Sequence, residues 1–177
     1  VRSKKIFIIT DDLVSMLYLP MVKESLEKSE FDVYALTVPQ GERSKTLEQA
    51  GKLLERILKI GCDRHSTIVS LGGGVVGDLA GFCASVLLRG VDFIQIPTTL
   101  LAQTDSSVGG KTAVNTAEGK NLVGTFHQPK AVFIDVHTLK TLDSQQVMAG
   151  FAEVVKYGLA LNADFWDWLV GSGEQVV

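Results

Sequence analysis

Functional side chains crowd one Gly-rich stretch of this sequence, Ile96-Pro-Thr-Thr-Leu-Leu-Ala-Gln-Thr-Asp-Ser-Ser-Val-Gly-Gly-Lys-Thr-Ala-Val-Asn115, continued by Gly119-Lys-Asn-Leu-Val-Gly-Thr-Phe-His-Gln-Pro129. It offers hydroxyls at Thr98 and Thr99, a carboxylate at Asp105, ammonium groups at Lys111 and Lys120, and an amide at Asn121. Small residues between them leave room for a ligand, and a purely structural loop has little use for so many polar groups between glycines. Upstream, Leu71-Gly-Gly-Gly-Val-Val-Gly-Asp78 fits the G-x-G-x-x-G spacing from Gly72 to Gly77. Glycines there would let the backbone approach a pyrophosphate, whose charge the opening helix would meet with free N–H groups. Tight turns alone would also explain the glycines. Asp78 favours the ligand reading, because a carboxylate one turn into such a helix is placed to accept from a ligand hydroxyl.

Two further groups are more ambiguous. In Pro39-Gln-Gly-Glu-Arg-Ser-Lys-Thr46, Glu42 could hold ribose hydroxyls and Lys45 could reach phosphate or ribose oxygens. A solvated loop with Ser44 or Thr46 as a helix N-cap explains the same residues. In Ala152-Glu-Val-Val-Lys-Tyr-Gly158, Glu153 and Lys156 share one helix face. A surface ion pair is the plain alternative; Ala149, Ala152 and Ala160 on that face suggest a narrow groove instead. His65, His127 and His137 lack metal-ligand spacing and are expected to be satisfied or exposed. Neither a P-loop nor a nucleophile elbow is present.

The elements that must position these groups alternate. Lys5 to Thr10, Phe31 to Val38, Thr67 to Leu71, Phe93 to Ile96 and Val132 to Asp135 read as strands. Leu13 to Lys28, Leu47 to Ile60 and about Val76 to Leu88 read as helices. Such alternation predicts an α/β fold with a parallel sheet and helices on both faces. In helix 13–28 the apolar set is Leu13, Met16, Leu17, Met21 and Val22; in helix 47–60 it is Leu47, Leu54, Ile57 and Leu58. Between Thr98 and Gln128 the rhythm breaks, apart from a possible strand pair around 112–115 and 122–126. From Ser144 the chain reads as helix, so residues 1–143 are expected to form one α/β domain and 144–177 the start of a helical one.

A net charge of −3 over 177 residues gives no electrostatic case for nucleic acid or an acidic membrane as partner. Cys62 and Cys83 are too few for a disulfide framework, which fits a reducing cytoplasm. Apolar stretches are broken before the ~18 residues that a membrane span needs. The leading Val1 and the ending at Val177 suggest a piece of a longer protein.

The blocks GGGVVGDLAGF, IPTTLLAQTDSSVGGKTAVN, GKNLVGTFHQP and GFAEVVKYG, in that order, resemble the 3-dehydroquinate synthase family of sugar-phosphate cyclases. The resemblance implies a Rossmann-like NAD-binding sheet followed by a helical metal-binding domain, usually as a homodimer. It implies conversion of a sugar phosphate, 3-deoxy-D-arabino-heptulosonate 7-phosphate, to 3-dehydroquinate and phosphate, with transient reduction of NAD and a divalent metal, zinc or cobalt. Position by position it implies cofactor contacts at Glu42, Lys45, Gly73, Gly74, Val75, Asp78, Thr98, Thr99, Lys111, Lys120 and Thr141. Substrate-site roles fall to Asp105, Lys111, Asn121, Lys156 and, across a dimer, Arg89, and a metal-ligand role to Glu153. Two histidine ligands are expected beyond Val177. An NAD-dependent metal polyol or alcohol dehydrogenase, a sister cyclase, and a bare nucleotide-binding module are the competing readings.

Overall fold

The computed structural model describes residues 4–172. Val1 to Ser3 and Gly173 to Val177, the ends of the two expected domains, lie outside them. Strand β1 (Lys5–Asp11) leads directly into helix α1 (Asp12–Lys28), capped by the Asp11 carboxylate, which accepts from the Val14 N–H at 2.8 Å. Strand β2 (Asp32–Val38) and helix α2 (Leu47–Ile60) follow, then β3 (Thr67–Gly72), α3 (Gly74–Val86) and β4 (Asp92–Pro97). A hairpin, β5 (Lys111–Thr116) and β6 (Gly119–Phe126), stands apart from the main sheet. The two-residue strand β7 (Ala131–Val132), α4 (Ser144–Leu161) and α5 (Ala163–Gly171) complete the described chain.

The main sheet runs β2-β1-β3-β4-β7 and every pairing in it is parallel. Alternation along β1 sends Phe7 and Ile9 to one face and Ile6 and Ile8 to the other. The first face packs with Leu36, Ile68 and Phe93 against Leu53 and Ile57 of α2 and Val76, Leu79 and Cys83 of α3. On the second, Val69 and Leu71 meet Val14, Tyr18, Val22 and Leu26 of α1. Burial on both faces is why these strands read as continuous apolar runs.

Several sequence expectations change. Most of the predicted stripe of α1 faces outward: Leu13, Met16, Leu17 and Met21 are exposed, Val22 of that set packs on the sheet, and Val14 is the buried residue of the helix. In α2 the buried positions are Ala50, Leu53 and Ile57, while Leu47 and Leu58 are exposed. The strand expected over 132–135 stops at Val132, because the Asp135 carboxylate instead caps a short 3-10 segment, Val136–Thr141. Helix α3 begins earlier than expected and ends at Val86. Leu88, Arg89 and Gly90 then take φ values of 49°, 71° and 117°, turning the chain into β4.

Candidate functional site

The strand order places β1 between β2 and β3, so the connection from β1 leaves to one side and the later chain builds on the other. The carboxyl ends of β1 and β3 therefore border the topological switch point, where open α/β sheets bind ligands. A cleft of about 490 Å³ opens there, lined by Asp11 from β1, Glu42 and Lys45 from the loop after β2, and Gly73, Gly74, Val75 and Asp78 from the β3–α3 turn. Thr98, Thr99 and Thr141 line it as well. A Cβ on Gly73 would come within 2.9 Å of Thr99 Cγ2, and one on Gly74 within 2.9 Å of Ser106 Oγ. The turn is thus pressed against the 98–106 segment, and the glycines are required by that approach. Gly73, at the N-cap of α3, supplies no capping side chain, and the first turn carries no acid. The donors of that turn and the positive end of the helix dipole are left for an anionic ligand.

The loop after β2 delivers an ammonium group into the same cleft. Glu42–Ser44 form a 3-10 turn, and Thr46 caps α2 by accepting from the Gln49 N–H at 3.1 Å. Between them the Lys45 side chain, 5% exposed, lies 2.7 Å from Asp78 Oδ2 and 3.7 Å from Glu42 Oε1. Burial pushes the Asp78 carboxyl above the usual carboxylate range; Lys45 opposes that shift and Glu42 adds to it. Burial likewise raises Asp11, against the pull of the Val14 N–H.

A second cavity, about 540 Å³, adjoins the first and shares Asp78 and Ser106 with it. Asp105, Lys111 and Asn121 line it with the walls of the hairpin. Asp105 sits on a short π-type turn, Ala102–Ser106, and accepts from the Tyr157 hydroxyl at 3.2 Å, with Lys156 Nζ 3.6 Å away. Helix α4 therefore docks its Glu153-Lys156-Tyr157 segment onto the turn that carries Asp105. Glu153 Oε2 is buried without a hydrogen-bond donor of acceptable geometry, while the Lys156 ammonium is packed against it as an ion contact. Contact with Glu153 raises the Lys156 pKa, with a smaller push from Asp105 against the effect of desolvation.

The cleft thus gathers nine of the expected cofactor residues, Glu42, Lys45, Gly73, Gly74, Val75, Asp78, Thr98, Thr99 and Thr141. Lys111 joins the second cavity. Lys120, next to Asn121 on β6, is exposed and lines neither space, and the same holds for Arg89 at the left-handed kink after α3. The alanine groove expected on α4 is not present: Ala149, Ala152 and Ala160 are exposed, and the buried small residues are Gly150 and Gly158. The i,i+3 ion pair between Glu153 and Lys156 does form. His127 bonds Val91 O, His137 pairs with Asp135 and His65 is exposed, as expected. Both cysteines are free, and burial pushes the Cys83 thiol up to about 12.

Sequence reasoning passed over Asp11, Tyr18, Asn115 and Tyr157. Asp11 reads as a strand-end residue but is a buried cap on the cleft wall. The Tyr18 hydroxyl donates to Thr138 O at 3.2 Å and meets the Thr141 hydroxyl. Asn115 donates to Glu42 Oε1 at 2.8 Å from 73 residues away in sequence. Only Asp11, directly after an apolar strand and before a helix, carried a readable signal.

Fold and cleft together define an open α/β domain of the nucleotide-binding class. The family description "3-dehydroquinate synthase N-terminal" matches residues 35–149. The chain belongs to the 3-dehydroquinate synthase family. It is 52% identical over 177 residues to a 3-dehydroquinate synthase of Thermoanaerobacter sp. (strain X514), covering all of this chain and 50% of that protein. It spans about half the length of the curated relatives it matches. A 2-epi-5-epi-valiolone synthase from Streptomyces hygroscopicus subsp. jinggangensis, solved with NAD+ and Zn2+ bound, superposes with a TM-score of 0.89 at 32% identity, over 96% of this chain and 47% of that one. A 2-deoxy-scyllo-inosose synthase complexed with carbaglucose-6-phosphate, NAD+ and Co2+ superposes with a TM-score of 0.84 at 37% identity, over 89% of this chain and 44% of that one. An iron-containing alcohol dehydrogenase shares the fold at 19% identity.

Proposed function

We propose that this chain is the dinucleotide-holding part of a 3-dehydroquinate synthase acting on 3-deoxy-D-arabino-heptulosonate 7-phosphate. The observation that carries the reading is the pair of adjoining cavities that share Asp78 and Ser106. One has the uncapped α3 N-terminus for a pyrophosphate and the Glu42-Lys45-Asp78 cluster for ribose oxygens. The other presents Asp105, Lys111 and Asn121 to a polyhydroxylated, anionic substrate. The first cavity suits a dinucleotide: Gly73 brings no capping side chain and the first turn of α3 no acid, so an anion at that turn meets free N–H donors. When bound, NAD would accept and later return a hydride while a divalent cation, zinc or cobalt, polarises the alcohol being oxidised. Asp105, held by Tyr157, would orient substrate hydroxyls, and Lys111 and Lys156 would meet its oxygens.

Glu153 fits a metal ligand by its chemistry: its buried carboxylate Oε2 is met by the Lys156 ammonium, a cation in the place that a divalent ion would take. Among the described residues no three His, Cys, Asp or Glu side chains converge. Glu153 would therefore supply one ligand of a three-ligand catalytic site. Arg89, exposed at its kink and lining neither cavity of its own chain, suits a reach into a neighbouring subunit of a homodimer. The two free cysteines are consistent with a cytoplasmic setting.

The test is Glu153→Gln in the full-length protein. Metal content and phosphate release should both fall, the latter beyond the roughly 10–100-fold that outer-shell changes cost, with NAD affinity retained. Near-normal metal and activity in the variant would reduce Glu153 to an ion-pair partner of Lys156.

A further inference from the structure

The β5–β6 ladder is interrupted at one position. Val114 pairs with Val123 and Thr116 with Gly119, and Asn115 between them falls out of register. Its backbone turns the other way, bridging Thr46 and donating its N–H to Lys45 O at 2.8 Å. Its side-chain amide then makes two bonds of opposite sense: Nδ2 donates to Glu42 Oε1 at 2.8 Å, and Oδ1 accepts from the Asn121 N–H at 2.9 Å. Asn121 itself has φ 59°, a left-handed conformation that asparagine tolerates better than other non-glycine residues and that the bond from its N–H to Asn115 helps to fix. One half-buried amide thus ties the loop of the first cavity to the segment of the hairpin that carries Lys120 and Asn121. No other side chain of that length that is neutral at pH 7 supplies both a donor for a carboxylate and an acceptor for an N–H.

We propose that Asn115 is a positioning residue that sets Glu42 for the dinucleotide and Asn121 for the substrate at the same time, coupling the two cavities. This deepens the proposed function and rests on it. The amide fixes which Glu42 oxygen is engaged by the protein and leaves the other for a ligand. It also holds the left-handed Asn121, so that the side chain at this position stays on the second cavity wall. The bulge that frees Asn115 from the hairpin ladder is what makes both contacts available.

Substitution at this position separates the two halves of the role. Asn115→Asp keeps the acceptor for the Asn121 N–H but sets a carboxylate against Glu42; Asn115→Ala removes both bonds. In the full-length protein, Asn115→Asp should weaken NAD binding at least about tenfold near pH 8. The deficit should shrink towards about pH 5 as the introduced carboxyl protonates and regains a donor. The substrate KM at saturating NAD should stay close to wild type in Asn115→Asp and rise several-fold in Asn115→Ala. In a Glu42→Gln background, where the new amide can donate, Asn115→Asp should bring no further loss of NAD affinity. A purely structural role would move none of these in that pattern. Asn115→Asp binding NAD as wild type does, or losing affinity equally at both pH values and in the Glu42→Gln background, would overturn the proposal while leaving the functional reading intact. A wild-type protein that binds no NAD would overturn both.

Discussion

Lys45 and Asp78 show how the site's charges are balanced. A lysine side chain 5% exposed carries a large desolvation cost unless paired, and Asp78 at 2.7 Å with Glu42 at 3.7 Å supplies the pairing. From sequence alone, Asp78 reads as an acceptor for a ligand hydroxyl; the ion pair with Lys45 adds a structural consequence. Asp78→Ala should weaken NAD binding by about 1.5–3 kcal/mol by calorimetric titration. It should also lower unfolding free energy by up to about 3 kcal/mol, the low end for breaking a buried pair because Glu42 remains within reach. An unchanged denaturation midpoint would mean that Lys45 relaxes to solvent. Residues of this kind were readable as types on a Gly-rich frame. Their partners were not, since Glu42 and Asn115 meet across 73 positions of sequence through a bulge that no local pattern announces.

At the scale of elements, the strand and helix order was legible because both faces of the sheet are buried and the runs of Ile, Val and Phe are correspondingly continuous. Helix faces were less so. Helix α1 has apolar residues around much of its circumference, so periodicity named Leu13, Met16, Leu17 and Met21 together with Val22, while packing on the sheet kept Val22 and added Val14 and Tyr18. The docking of α4 was also hidden, resting on a glycine rather than on the alanines that caught the eye. A Cβ on Gly150 would lie 2.6 Å from both Leu100 Cβ and the Leu101 backbone nitrogen. Gly150→Ala should therefore push α4 off the 98–106 segment at a cost of about 1–3 kcal/mol. It should lower turnover by separating Lys156 and Tyr157 from Asp105. A variant with wild-type thermal midpoint and turnover would show that the helix accommodates the methyl group by sliding.

For the molecule as a whole, the cleft at the sheet's switch point adjoins the cavity under the hairpin. On the proposed function, the chain is the part of a cyclase that holds the dinucleotide. The same fold serves dehydrogenases, in which the hydride stays on the cofactor, so the fold alone does not choose between the two outcomes. What separates them is the stoichiometry of the cofactor. The decisive measurement follows phosphate release and NADH absorbance together, in the full-length protein given NAD, zinc or cobalt, and 3-deoxy-D-arabino-heptulosonate 7-phosphate. A cyclase gives many turnovers of phosphate and 3-dehydroquinate with no net accumulation of NADH, and that is the expected result. NADH rising in step with substrate consumption, with no phosphate released, would contradict it and identify a dehydrogenase.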